Sequence, residues 1–107
     1  MNWKTLESLE DLQNAINDSN KEAIVLFKHS TRCSVSTMAK KSVEHFWDLD
    51  IDAYYLDLLA HRNVSNAIAD QLSVQHASPQ LILVKDGKAL YHASHGQINV
   101  DDLDAYL

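Results

Sequence analysis

The stretch Ala23-Ile24-Val25-Leu26-Phe27 is a continuous β-branched and aromatic run, and the polar segment His29-Ser30-Thr31-Arg32 then leads from it to Cys33. A short run that is apolar at every position is the pattern of a strand covered on both faces, as in the centre of a parallel sheet. Beyond the polar segment, Val35, Ala39, Val43 and Phe46 recur every three or four residues, which predicts a helix beginning at or near Cys33. The lone cysteine is therefore expected where a buried strand hands over to a helix. In open α/β sheets, the carboxyl ends of strands are where sites are built.

The rest of the chain extends this unit in both directions. Asp48-Leu49-Asp50 breaks the helix, and Ile51 to Leu56 reads as a second strand, supported by Tyr54 and Tyr55. Val64, Ile68 and Leu72 mark a helix over roughly Ala60 to Leu72. After an irregular Gln75–Pro79 comes a buried strand, Leu81 to Val84. Lys85-Asp86-Gly87-Lys88 is a hairpin signal, because Asp-Gly supplies the positive φ angles of a two-residue turn, and Ala89 to Ala93 is its returning partner. Upstream, Ser8 can cap a helix with Glu10 and Asp11 in its first turn and an apolar stripe of Leu9, Leu12 and Ile16; Asn17-Asp18-Ser19-Asn20 ends it. Downstream, Asn99 can cap a last helix, with Leu103 and Leu107 facing the core. The order is helix, strand, helix, strand, helix, hairpin, helix. The strand–helix–strand unit pairs in parallel by a right-handed crossover and the hairpin adds an antiparallel edge, giving a small mixed sheet with helices on both faces.

Composition narrows the function. The 107 residues suit one domain spanning 1–107, with 46% hydrophobic and 22% charged residues, both ordinary for a globular protein. Nine basic against fifteen acidic residues, a net of −6, argue against a nucleic-acid partner. No apolar run approaches the roughly 20 residues of a membrane helix, so no membrane partner is expected. The start, Met1 to Glu7, lacks a secretory pattern. That start and a lone thiol point to the reducing cytoplasm.

A thiol in the first turn of a helix lies beside unpaired backbone N–H groups and the positive end of the helix dipole, both of which favour a thiolate, and Arg32 adds a permanent cation. Only the thiolate attacks a disulfide sulfur. Thr31, Arg32, Ser34 and Ser36 make the stretch polar and accessible, against the alternative of a cysteine packed as a small hydrophobe.

Cys33-Ser34-Val35-Ser36 is a Cys-x-x-Ser motif, and Phe27 through Ser36 resembles the active-site stretch of the monothiol bacilliredoxins, the bacillithiol-system redox proteins of low-GC Gram-positive bacteria. The resemblance runs from Trp3 through the Asp86-Gly87 hairpin to the last helix. It implies an α/β, thioredoxin-like fold with a four- to five-stranded mixed β-sheet flanked by helices on both faces. It implies a thiol–disulfide oxidoreductase with Cys33 as nucleophile, supported by Ser36, Arg32, Ser34, Ser78 and Pro79. Ser34 departs from the proline that often follows such a cysteine. Ser78-Pro79 occupies the place of the cis-proline that faces the catalytic cysteine, where the Ser78 backbone would pair with substrate. With Ser36 unable to resolve a disulfide, Cys33 can only exchange with partners: S-bacillithiolated client proteins and a low-molecular-weight thiol. The family therefore implies no bound cofactor, with bacillithiol as exchanging co-substrate. Arg32 is placed to meet a carboxylate of its malate. Lys28, Lys40 or Lys41 could assist, against a simpler reading as solvated surface charge. Ser36 could donate to the thiolate; His29 or His76 could tune the thiol or shuttle a proton, or be plain loop histidines.

Six histidines form no compact ligand pair except His92 and His95, which on a strand point to opposite faces, so no metal is expected. Trp3, Trp47, Tyr54 and Tyr55 read as packing residues. Two other functions stay open: a non-catalytic thioredoxin-like binding module, and an iron–sulfur carrier like some monothiol glutaredoxins, whose Cys-Gly-Phe-Ser motif this chain does not share.

Overall fold

The computed structural model describes residues 1–107. Five strands form one sheet in the spatial order β1-β3-β2-β4-β5: β1 (Trp3–Thr5), β2 (Ile24–His29), β3 (Ala53–Asp57), β4 (Gln80–Lys85) and β5 (Lys88–Ser94). β1, β3 and β2 are parallel, while β4 and β5 are antiparallel to their neighbours. Three α-helices, α1 (Leu9–Asp18), α2 (Ser34–Phe46) and α3 (Arg62–Leu72), connect the strands, and a 3₁₀ helix follows from Val100 to Tyr106. No helix is long and apolar enough to cross a membrane.

β2 lies at the centre with every residue buried, and period-two alternation sorts its side chains between two cores. Ile24 and Leu26 join Leu12 and Ala15 of α1 and Val64, Ile68 and Leu72 of α3 on one face. Val25 and Phe27 join Val43 of α2 and Val100 and Leu103 of the 3₁₀ helix on the other. The sheet is thus covered on both sides, which is why the run Ala23–Phe27 contains no polar position.

Several local predictions meet their residues. The Ser8 side chain accepts the Asp11 N–H at the start of α1. Asp86 and Gly87 have φ of 53° and 72°, the primed turn their sequence favours. The Asn99 side chain accepts the Asp101 N–H.

Other expectations are corrected. β1 was not among the predicted elements; its three residues are partly exposed and carry no alternation to detect. β2 runs on through Lys28 and His29, since strand pairing with β3 and β4 continues past the apolar run. Leu9 is exposed, and the buried face of α1 is Leu12 with Ala15. On α2, Val43 is buried and Ala39 packs on the core as expected, but the two ends of the stripe, Val35 and Phe46, are exposed, and Ser36 and Trp47 turn inward in their place. The last helix is 3₁₀ rather than α, and Leu107 is exposed.

Candidate functional site

The antiparallel register Lys28↔Gln80 brings the start of β4 beside the end of β2. The Ser78–Pro79 segment therefore lies next to the segment that leads to Cys33. The Ser78–Pro79 bond is cis, and the Pro79 carbonyl accepts the His95 N–H at 3.1 Å.

Cys33 is the N-cap of α2, with φ −111° and ψ 120°. Its carbonyl accepts the Thr37 N–H at 3.0 Å and the Thr37 hydroxyl at 3.2 Å, and its own N–H donates to Ser30 O at 3.2 Å. Most N-cap side chains bind an amide of the first turn; the Cys33 side chain makes no such bond and is half-exposed. The sulfur thus sits at the mouth of a helix whose first amides have no intrahelical acceptor. Arg32 and Ser34 flank it and are exposed.

Ser36, three residues on, is fully buried. Its hydroxyl accepts the Ser30 N–H at 3.0 Å and shares a 2.6 Å hydrogen bond with His29 Nδ1. The hydroxyl is therefore committed to His29 and Ser30, not to Cys33. His29 is itself buried, stacks on Phe27 at 6.2 Å and tilts against Tyr55 at 5.6 Å. Burial holds its pKa below the usual histidine value, and the Lys40 charge adds to this. So His29 is neither solvated nor in a loop: it closes β2 and holds the first turn of α2 through Ser36.

The lysines separate. Lys28, expected at the surface, is fully buried on the α3 side of the sheet. Its Nζ donates to Ser65 O at 3.1 Å and meets His76 Nδ1 at 3.1 Å. Burial pushes its pKa down to about 8. The signal was present as parity, since Ile24, Leu26 and Lys28 share one face of β2. Lys40 is occupied with Glu44 at 2.8 Å and lies over the rings of Trp3 and Tyr55. Lys41 alone of the three stays exposed. His76 is held by Lys28 and Ser65, and its pKa is lowered by burial and then by the charges of Lys28 and Arg62.

A shallow groove of about 310 Å³ separates α2 from the segment after β5, with Val35, Met38, Ala39, Gly96 and Ile98 among its walls. A larger depression, about 410 Å³, lies at the other end of the sheet among Asp18, Glu22, Asp50 and Asp52. It is far from the cysteine and too acidic for an anionic ligand.

The model of the family "monothiol bacilliredoxin BrxC" matches residues 4–103. The chain belongs to this family. A solved structure of a proposed oxidoreductase with a thioredoxin fold is 30% identical to this bacilliredoxin, over 95% of this chain and 90% of that one, with a TM-score of 0.85. Thioredoxin from Fasciola hepatica is 21% identical over 96% and 94% of the two chains, with a TM-score of 0.74. Thioredoxin from Malassezia sympodialis is 15% identical over 98% and 87%, with a TM-score of 0.75. The last two speak for the fold alone. The fold of this bacilliredoxin is thioredoxin-like, as its residues predict, and family and fold together support a redox function.

Proposed function

We propose that this chain is a monothiol thiol–disulfide oxidoreductase that removes bacillithiol from S-bacillithiolated proteins by exchange at Cys33. The observation that carries this reading is a half-exposed sulfur at the N-cap of α2 with its side chain unbonded, in a chain with no second cysteine. The Cys33 thiolate attacks the bacillithiol sulfur of the mixed disulfide. The S–S bond to the client breaks, the client sulfur leaves with the electron pair and takes a proton from water, and a Cys33–bacillithiol disulfide forms. A second thiol then attacks that disulfide and restores Cys33.

Each named residue has a part in this cycle. The free amides at the start of α2 favour negative charge on the sulfur. Arg32, its neighbour in sequence, is exposed, and residues 28–46 hold four cations against the single carboxylate of Glu44, in a chain of net −6. That local balance suits the malate carboxylates of bacillithiol. Ser34 adds a hydroxyl beside the sulfur, the Ser78 backbone beside Pro79 pairs with the client, and Ser36 fills the resolving position with a buried hydroxyl. The reaction takes place in the cytoplasm, where the thiol pool is reduced.

Intact mass after incubation with oxidised bacillithiol tests the reading. The wild type gains one bacillithiol and Cys33→Ala gains none. No adduct on the wild type, or an equal adduct with oxidised glutathione, defeats the bacillithiol assignment.

A further inference from the structure

Resting on the exchange function proposed above, we infer that the buried Lys28 and the exposed His76 form a tether that positions the loop carrying Ser78 for pairing with a client disulfide at Cys33. The loop between α3 and β4 (73–79) ends beside the segment that leads to Cys33, because β4 pairs with β2 antiparallel in the register Lys28↔Gln80. The two side chains of that rung both reach back to this loop. Lys28 Nζ meets His76 Nδ1 at 3.1 Å, and Gln80 Nε2 donates to Gln75 O at 3.0 Å. Ser65 of α3 completes the tether: its carbonyl accepts from Lys28 at 3.1 Å and its hydroxyl lies 3.3 Å from His76 Nδ1. Lys28, Ser65 and Gln80 are all buried.

An unpaired ammonium in a core is an expensive way to fill space, and an apolar side chain of similar length does so at less cost. Lys28 has no carboxylate partner; both of its hydrogen bonds go to the loop and to the helix behind it. What the lysine supplies and an apolar residue does not is a directed bond to residue 76. With Lys28 donating, His76 Nδ1 is unprotonated and accepts. The loop is thereby held from β2, the strand that also delivers Cys33, so the thiol and the backbone that pairs with its substrate share one support. Lys28 and His76 are positioning residues: neither touches the sulfur.

The test compares two reactions of Cys33. One is exchange with a peptide bearing a bacillithiol mixed disulfide, which needs backbone pairing; the other is alkylation by iodoacetamide, which does not. Lys28→Met and His76→Leu are each expected to slow exchange about three- to tenfold, the worth of about one net hydrogen bond. Alkylation stays within about twofold of wild type. His76→Asn, which keeps an acceptor near the Nδ1 position, retains exchange, and the double variant Lys28→Met/His76→Leu is no slower than the slower single. Wild-type exchange in Lys28→Met, or a fall in alkylation equal to the fall in exchange, overturns the tether. If the wild type takes no bacillithiol from the peptide, the exchange function fails by itself. Amide hydrogen exchange then decides the tether: faster exchange at residues 74–78 in Lys28→Met supports it, and unchanged exchange overturns it.

Discussion

Replacing Lys28 by methionine should change how stability depends on pH. The side chain is fully buried and its pKa falls from 10.5 to about 8. At about 1.36 kcal/mol per unit, this shift corresponds to about 3 kcal/mol of stability forgone while the lysine is charged. Between pH 8 and 10.5 the unfolded chain keeps a proton that the folded chain has released, so stability rises with pH across that window. The cost is fully present below about 8 and is relieved towards 10.5. From pH 8 to pH 10 the gain is about 2 kcal/mol. Methionine removes this dependence and also the bonds to Ser65 O and His76, each worth about 1 kcal/mol. Lys28→Met should therefore be about 1 kcal/mol more stable than wild type at pH 7 and about 1 kcal/mol less stable at pH 10. Tyr54 and Tyr91, pushed up to about 12, weaken both proteins alike above pH 10 and cancel in the difference. Urea unfolding followed by tryptophan fluorescence at half-unit steps of pH gives the two curves. A wild-type minus variant difference that stays level from pH 7 to pH 10 refutes the reasoning.

Four further outcomes are expected. Ser36→Ala leaves the Ser30 N–H and His29 Nδ1 without their partner and should cost about 1–3 kcal/mol in urea unfolding, whereas a change under about 0.5 kcal/mol would mean water replaces the hydroxyl. Gly87→Ala places a Cβ at φ 72°, where Ile16 Cγ2 is 3.8 Å away and does not clash; the left-handed backbone alone should cost about 1 kcal/mol, read as a lower thermal midpoint. Ser8→Ala removes the acceptor of the Asp11 N–H and should cost about 1 kcal/mol, with the loss confined to α1 in hydrogen exchange. His29 and His76 both hold pKa values below 6.5, so between those values and 6.5 the unfolded chain binds more protons; stability should fall as pH drops below about 6.5, and a smaller fall in His76→Asn measures the share of that residue.

What could be read from the residues follows from how local their causes are. Ser8, Asp86-Gly87 and Asn99 act on backbone groups within three positions, and each does so in the structure. The strand ending before Cys33 was legible because burial on both faces leaves no polar gap. The position of Cys33 followed from the helix start, although the two ends of the expected stripe on α2 lie one position off. That error has a cause: Val35 and Phe46 look like core residues by type, but Ser36 takes the inward place because His29 and the Ser30 amide bond it there. Lys28 was misread for the same reason, since its fixed partners, Ser65 and His76, are 37 and 48 residues away. Polar groups buried through long-range partners leave little trace in a hydropathy pattern, and at this site they carry much of the geometry.

The two borders of the sheet bear on how this molecule behaves among its own copies. β1 offers only three residues. β5 is longer, but its pairing with β4 shifts register between Leu83 and Val84, and the outward Lys88 and His92 break its apolar character. A short strand and a kinked, charge-bearing one are poor templates for adding a neighbour's backbone. The central strands, which would nucleate fibrils most readily if uncovered, are walled in on either flank, so aggregation should begin only after the sheet opens.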